Sequence, residues 1–352
     1  MARDDNVVVV IATPIEEELV ERIRDVDPRV EVLWDPELVP APRWASDHVG
    51  DTSFARDGEA ERRFGEMLER ADVVLGYPSD SGDGLSHVIE AAPRLRWVQG
   101  MSAGAGQHVA NARLHGDVLE RVAVTTSSGA HAGPLAEFSM LGILYFAKLV
   151  PELLEDQRAA RWPSIRRPVS DLRGQTMLIV GLGEIGVETA RLARAFGMRV
   201  IGVKRRPGEV EHVDEVRGSD RLAEVVGEAD AIVVTLPGTA ETENLVDAGV
   251  LAAVKPGAVL VSVGRGTVID EAALIERLRD GTLAGAALDV FATEPLAADS
   301  PLWELPNVLV SPHVSALSVR ENERIVELFI ANLERHLAGE PLLKRLTPDT
   351  PY

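Results

Sequence analysis

Three side chains near the end of the chain have the types and spacing to do chemistry: Arg265 in S-V-G-R-G-T-V-I-D, Glu294 in L-D-V-F-A-T-E-P-L and His313 in S-P-H-V-S-A. A guanidinium grips a carboxylate through two parallel hydrogen bonds. An imidazole moves a proton near neutral pH, and a carboxylate beside it holds the ring and favours its cationic form. Upstream, G-L-G-E-I-G at residues 181–186 has the spacing that cradles a dinucleotide pyrophosphate. Together these groups are the means of passing hydride between a nicotinamide and a 2-oxo acid. Each alone has a plainer reading: a surface cation, a Glu-Pro turn, a loop histidine, a strand–turn–helix without ligand. Their joint spacing favours the chemical one.

The elements that must position these groups follow from apolar periodicity. Strands are predicted at 176–181, 199–203, 231–236, 259–263, 285–288 and 308–310, with helices at 185–196, 222–226 and 271–280. Six strands alternating with helices predict a doubly wound α/β sheet. Arg265, Glu294 and His313 each follow one of these strands, and ligands of such sheets gather outside the carboxyl ends. Upstream, short strands at 7–12, 30–34, 73–76, 95–99 and 122–125 describe a second α/β unit of flavodoxin-like size, with a Pro- and Asp-rich surface excursion at 36–57. A long helix at 134–162 should break at Pro151, and a last helix at 319–338 is free to return to the first domain. The expected division is a substrate domain, 1–126 with 319–352, into which a Rossmann dinucleotide-binding domain, 127–318, is inserted.

Within the glycine-rich turn, Gly181 allows the tight bend, Gly183 lets backbone approach the pyrophosphate, and Gly186 lets the helix pack closely. Glu184 and Ile185 open the helix whose unpaired N–H groups would bind the phosphates. An NAD-specific site places an acid about 20 residues further on. Lys204, Arg205 and Arg206 stand there instead, and such a cluster attracts a 2′-phosphate. NADP is therefore expected ahead of NAD; solvated loop cations are the alternative.

Composition narrows the classes. A formal charge of −20 opposes binding to nucleic acid or anionic membranes. The absence of cysteine excludes disulfides, thiolate metal sites and cysteine nucleophiles. No apolar run reaches the roughly 18–20 residues of a membrane span, and the longest, 138–150, contains Lys148 and ends at Pro151. The N-terminal apolar run is too short for a signal peptide, so a soluble cytoplasmic protein is expected. His48, His87, His108, His115, His212 and His336 lack ligand spacing, no metal site is expected, and His131 reads as a structural loop histidine.

The motifs G-L-G-E-I-G, T-L-P-G-T-A-E-T-E-N-L-V, V-G-R-G-T-V-I-D, A-L-D-V-F-A-T-E-P-L and S-P-H-V-S-A, in this order over roughly 98–316, resemble the D-isomer-specific 2-hydroxyacid dehydrogenases, in the glyoxylate/hydroxypyruvate reductase-like branch. The resemblance implies that Arg265 binds the substrate carboxylate and polarises the carbonyl, that His313 is the proton donor in reduction, and that Glu294 holds the other imidazole nitrogen. It places Asp289 against the nicotinamide carboxamide, with Val263 and Gly264 lining that ring. Leu236, Pro237 and Thr242 would flank the adenine side, a structural turn being the alternative there. W-V-Q-G-M-S-A-G-A-G-Q-H-V resembles the family's loop after the fourth strand, whose amides at Ser102, Ala103 and Gly104 would also hold the substrate carboxylate. Gln107-His108 stands where the family often shows aspartate. The helix at 134–162 resembles the arm through which family members dimerise, implying a homodimer. A dinucleotide-sensing corepressor or scaffold of the same fold is the alternative function. A formate-type dehydrogenase is a third, though that branch carries glutamine where Glu294 stands.

Overall fold

A computed structural model of the protein describes residues 6–102, 104–112, 114 and 116–347. The chain divides into two compact units, 1–131 with 317–352, and 132–316. Unit 1 runs β1 (Val7–Ile11), α1 (Glu17–Arg24), β2 (Val30–Leu33), α2 (Gly58–Arg70), β3 (Val73–Leu75), α3 (Gly82–Ala91), β4 (Trp97–Gln99), α4 (Ala105–Asn111), α5 (Gly116–Arg121) and β5 (Ala123–Thr125). Unit 2 opens with α6 (Ala132–Ala147) and α7 (Val150–Arg158). It continues with β6 (Thr176–Val180), α8 (Glu184–Ala195), β7 (Arg199–Lys204), β8 (Glu215–Gly218), α9 (Leu222–Val225) and β9 (Ala231–Val234). It closes with α10 (Ala248–Ala252), β10 (Ala258–Ser262), α11 (Glu271–Arg279), β11 (Leu283–Leu288) and β12 (Val308–Val310). The chain then returns to unit 1 as α12 (Glu321–Ala338).

The unit 1 sheet is parallel, in the flavodoxin-like order β2-β1-β3-β4-β5. Alternate residues of its strands serve opposite faces. Val10, Val74 and Val98 join Phe64, Leu68 and Leu85 on one face. Val9, Ile11, Val73, Leu75 and Trp97 meet α12 on the other, through Ile325, Val326, Phe329 and Leu333. Trp97 stacks on Phe329 with ring centroids 4.8 Å apart. The return of the last helix to the first unit follows from this apolar stripe.

The unit 2 sheet is parallel throughout, in the order β12-β11-β10-β9-β6-β7-β8. It has seven strands where six were expected. The missed strand is β8, an edge strand whose Glu215 and Arg217 hide any apolar run, as edges often do. Both faces of the central strands are covered. Leu178, Val180, Ile232 and Leu260 lie in one core, and Met177, Ile179, Val233 and Val261 in the other. The long helix breaks at Leu149, which takes a left-handed φ of 56°, and not at Pro151. Proline fits the first turn of a new helix, so the chain turns before it. α6 and α7 are bent by 64°, and among the described residues no single helix is long and apolar enough to cross a membrane.

The first joint falls after His131 and not after residue 126. The segment between belongs to unit 1 because Ser127 donates through Oγ to Gly100 O (2.8 Å) and Ala130 O accepts from Arg324 Nε (2.6 Å).

Candidate active site

The glycine-rich turn joins β6 to α8 at the carboxyl edge of the unit 2 sheet. Gly181 has φ +109°, a conformation that side chains other than glycine's rarely allow. A Cβ at Gly186 would lie 2.0 Å from Gly181 O, so helix and turn touch backbone to backbone. A Cβ at Gly183 would meet nothing within 4 Å, and no side chain caps the α8 N-terminus that follows it. Open space over uncapped N–H groups is what a pyrophosphate needs. Glu184 and Ile185 occupy the first turn of α8.

Lys204 ends β7, and Arg205 and Arg206 lie exposed beyond it. Arg205 Nη1 pairs with Glu241 Oε2 at 2.5 Å, so one of the three cations already has a carboxylate against it. Thr242 Oγ1 donates to Pro237 O (2.6 Å) and accepts from Thr239 N (2.9 Å). Its hydroxyl thereby ties the turn that follows Leu236, which is the structural alternative raised for this residue. Val263 is buried, with its N–H donated to Val234 O at 3.0 Å. Gly264 is pressed against Leu236, where a Cβ would lie 2.3 Å from Leu236 O.

His313 and Glu294, far apart in sequence, meet in unit 2. His313 Nδ1 lies 2.7 Å from Glu294 Oε2, and Glu294 Oε1 accepts from Phe291 N at 3.0 Å. Glu294 is thus held at both oxygens, and the imidazole keeps Nε2 for a reacting partner. Partial burial pushes the Glu294 carboxyl up; the His313 bond, the Phe291 N–H and the cationic charges of His313 and Arg265 outweigh it, and the net shift is downward. Arg265 follows β10 through Gly264, whose carbonyl accepts from its Nη1 at 2.8 Å. Its charge acts on Glu294, which places all three residues in one electrostatic neighbourhood.

Asp289, expected against a carboxamide, is engaged by donors of the protein itself. It is 1% exposed. Its Oδ1 accepts from Ser311 Oγ (2.5 Å), Val314 N (3.0 Å) and Ser315 N (3.1 Å), and its Oδ2 from Ser315 Oγ (2.5 Å). These donors bracket His313, whose own φ is +55°. Asp289 is therefore the anchor that holds the histidine loop in a left-handed turn. The signal was present in the sequence as the two serines of S-P-H-V-S, but nothing local says that their partner is Asp289.

In unit 1, Ser102 follows β4, with its Oγ buried and unpartnered, and Gly104 precedes α4. Ala103 lies outside the described residues. His131 is bound to a residue that sequence reasoning passed over: its Nε2 is 2.9 Å from Glu321 Oε1. Among the described residues no group of acids and histidines could hold a metal ion.

The model of the D-isomer specific 2-hydroxyacid dehydrogenase NAD-binding domain matches residues 140–315, which span the glycine-rich turn, Arg265, Glu294 and His313. The chain belongs to this family. A glyoxylate reductase of Korarchaeum cryptofilum is 32% identical over 282 residues, 78% of this chain and 82% of the relative. A family member from Aeromonas salmonicida has a solved structure with TM-score 0.76 and 28% identity, covering 97% of this chain and 99% of that one. A member from Xanthobacter autotrophicus, solved with NADPH and MES, has TM-score 0.75 and 29% identity, covering 99% and 100%. The dehydrogenase is thus an oxidoreductase whose unit 2 carries a Rossmann NAD(P)-binding domain.

Proposed function

We propose that this dehydrogenase reduces a small 2-oxo acid, of the glyoxylate or hydroxypyruvate kind, to the D-2-hydroxy acid, with NADPH preferred over NADH. The observation that carries the reading is the His313–Glu294 pair at 2.7 Å, within reach of the Arg265 charge at the carboxyl edge of a dinucleotide-binding sheet. When bound, the reduced dinucleotide supplies hydride to the carbonyl carbon. Arg265 binds the substrate carboxylate and draws electron density toward the carbonyl oxygen. His313 donates the Nε2 proton to that oxygen as the C–H bond forms, and Glu294 steadies the imidazolium through Nδ1. Asp289 acts through the loop it anchors.

Lys204, Arg205 and Arg206 support the NADP preference, as does the NADPH bound by the Xanthobacter relative. The glyoxylate reductase relatives support the substrate class. The exposed apolar side chains Leu141, Leu153, Trp162 and Ile165 on and beyond α6–α7 support a homodimer. The reading includes a cytoplasmic location. The test is oxidation of NADPH and of NADH with a panel of 2-oxo acids, in the wild type and in His313→Ala. The expected result is turnover with higher kcat/KM for NADPH, a loss of about 10²–10⁴-fold in kcat in the variant, and unchanged NADPH binding. No turnover with any acid would instead favour a dinucleotide sensor.

A further inference from the structure

The loop that carries Glu294 has few holds on the rest of unit 2. Phe291 is buried in the core, whereas Ala292, Thr293 and Glu294 are exposed. The Phe291 N–H goes to the Glu294 carboxylate three residues on, so that bond fixes the side chain to its own loop and not the loop to the domain. Among the described residues, one hydrogen bond ties the backbone of 292–294 to another element: Ala292 N donates to Glu271 Oε2 at 3.0 Å.

Glu271 is the first residue of α11, six positions after Arg265. The turn between them is well fixed. Val268 N donates to Arg265 O at 3.2 Å, and Asp270, the N-cap of α11, accepts from Ala273 N at 3.0 Å. Along this turn Gly266 lies backbone to backbone on the Glu294 loop, where a Cβ would run into the carbonyl of Phe291. The turn after β10 therefore meets the loop after β11 twice, at Gly266–Phe291 and at Glu271–Ala292. The Arg265 and Glu294 side chains themselves are spent on other partners: Gly264 O for the first, His313 and Phe291 N for the second. Their spacing is set by the backbones, and Glu271 closes the exposed half of that clasp.

We propose that Glu271 is a positioning residue for the proton transfer: its carboxylate holds the Glu294 loop against the turn of Arg265 and so sets where Glu294 meets His313. The inference rests on the reading of the chain as a 2-oxoacid reductase for the reaction it serves, though not for the contact. The plain alternative is an acid that only stabilises the N-terminus of α11. The two roles depend on different properties of the side chain. A helix end responds to negative charge, whereas Ala292 N needs an acceptor oxygen at the right reach, which glutamine also supplies.

Three variants separate charge from reach. Glu271→Ala removes both, and its kcat for 2-oxo acid reduction should fall about tenfold, with KM values within about twofold of wild type. Glu271→Gln loses the charge and keeps the acceptor, so Tm should fall while kcat stays within about twofold of wild type. Glu271→Asp keeps the charge but withdraws the oxygen by one methylene, so Tm should hold while kcat falls as in Glu271→Ala. Crystal structures of wild type, Glu271→Gln and Glu271→Asp read the geometry without turnover. Glu294 Oε2 should stay within hydrogen-bond reach of His313 Nδ1 in the first two and move beyond about 3.2 Å in the third. Activity that follows charge, with Glu271→Asp like wild type and Glu271→Gln impaired, overturns the positioning role and leaves the reductase standing. So does unchanged kcat in all three. A wild type without turnover, with Glu294 displaced only in the Glu271→Asp crystal, sinks the reductase reading and keeps Glu271 as the residue that places Glu294.

Discussion

At the scale of single residues, His313, the residue proposed to move the proton, rests on two carboxylates that touch it differently. Glu294 touches the imidazole, whereas Asp289 touches only the loop that carries it. Asp289→Ala leaves several buried donors unpaired, each costing about 1–3 kcal/mol. A displacement of the ring by about 1 Å is worth up to about 10²-fold in rate. The expected outcome is a fall in kcat of about 10–100-fold, little change in KM, and partial rescue in Asp289→Asn, which keeps one acceptor; steady-state kinetics of both variants check it. For Glu294 the sign follows from its lowered pKa in the fold. Its contribution to stability is complete above the unfolded glutamate value, about 4.3, and is lost as pH falls through the lower folded value. The gap in urea midpoint between wild type and Glu294→Gln should therefore stay constant at neutral pH and close only below about pH 4.3. A gap already closing at pH 6 would contradict this assignment.

At the scale of elements, α6 matters because it lies directly on the sheet that carries Arg265. A Cβ at Gly142 would approach Ala287 Cβ to 2.6 Å and Val261 Cγ2 to 3.1 Å, on the adjacent strands β11 and β10. The absence of a side chain lets the helix seat closely over residues leading to Arg265 and Asp289. Gly142→Val forces the helix away and should cost about 1–3 kcal/mol, a fall of about 2–4 °C in Tm per kcal/mol. Scanning calorimetry checks it, and an unchanged Tm would mean that the helix shifts freely. Beyond α7, Asp156 is gripped by Arg161 Nε (2.6 Å) and Arg167 Nη1 (2.8 Å), which staples the connection toward β6.

At the scale of the whole molecule, the formal charge of −20 dominates. Many carboxylates pair with arginines, but exposed pairs are worth only about 0–1 kcal/mol each, and the excess acids repel one another. Salt shortens the reach of that repulsion, from about 30 Å at 0.01 M to about 3 Å at 1 M. Tm should accordingly rise between 0.01 M and 1 M sodium chloride. A flat or falling Tm would show that the ion pairs, and not the repulsion, set the balance.

The sequence by itself determined the parallel α/β architecture, because buried strands such as M-L-I-V and A-I-V-V and their glycine-rich exits are local signals. It also determined the family and the three residues gathered near the end of unit 2. It missed β8, whose edge position lets polar residues replace an apolar run, and it misplaced the helix break, which occurs at a left-handed leucine before the proline. Tertiary structure alone decided which donors surround Asp289 and that His131 meets Glu321. The physical reason is the same in each case. A hydrogen bond depends on which side chains the fold brings within 3 Å, and partners such as His131 and Glu321, 190 residues apart, leave no mark on each other's local sequence.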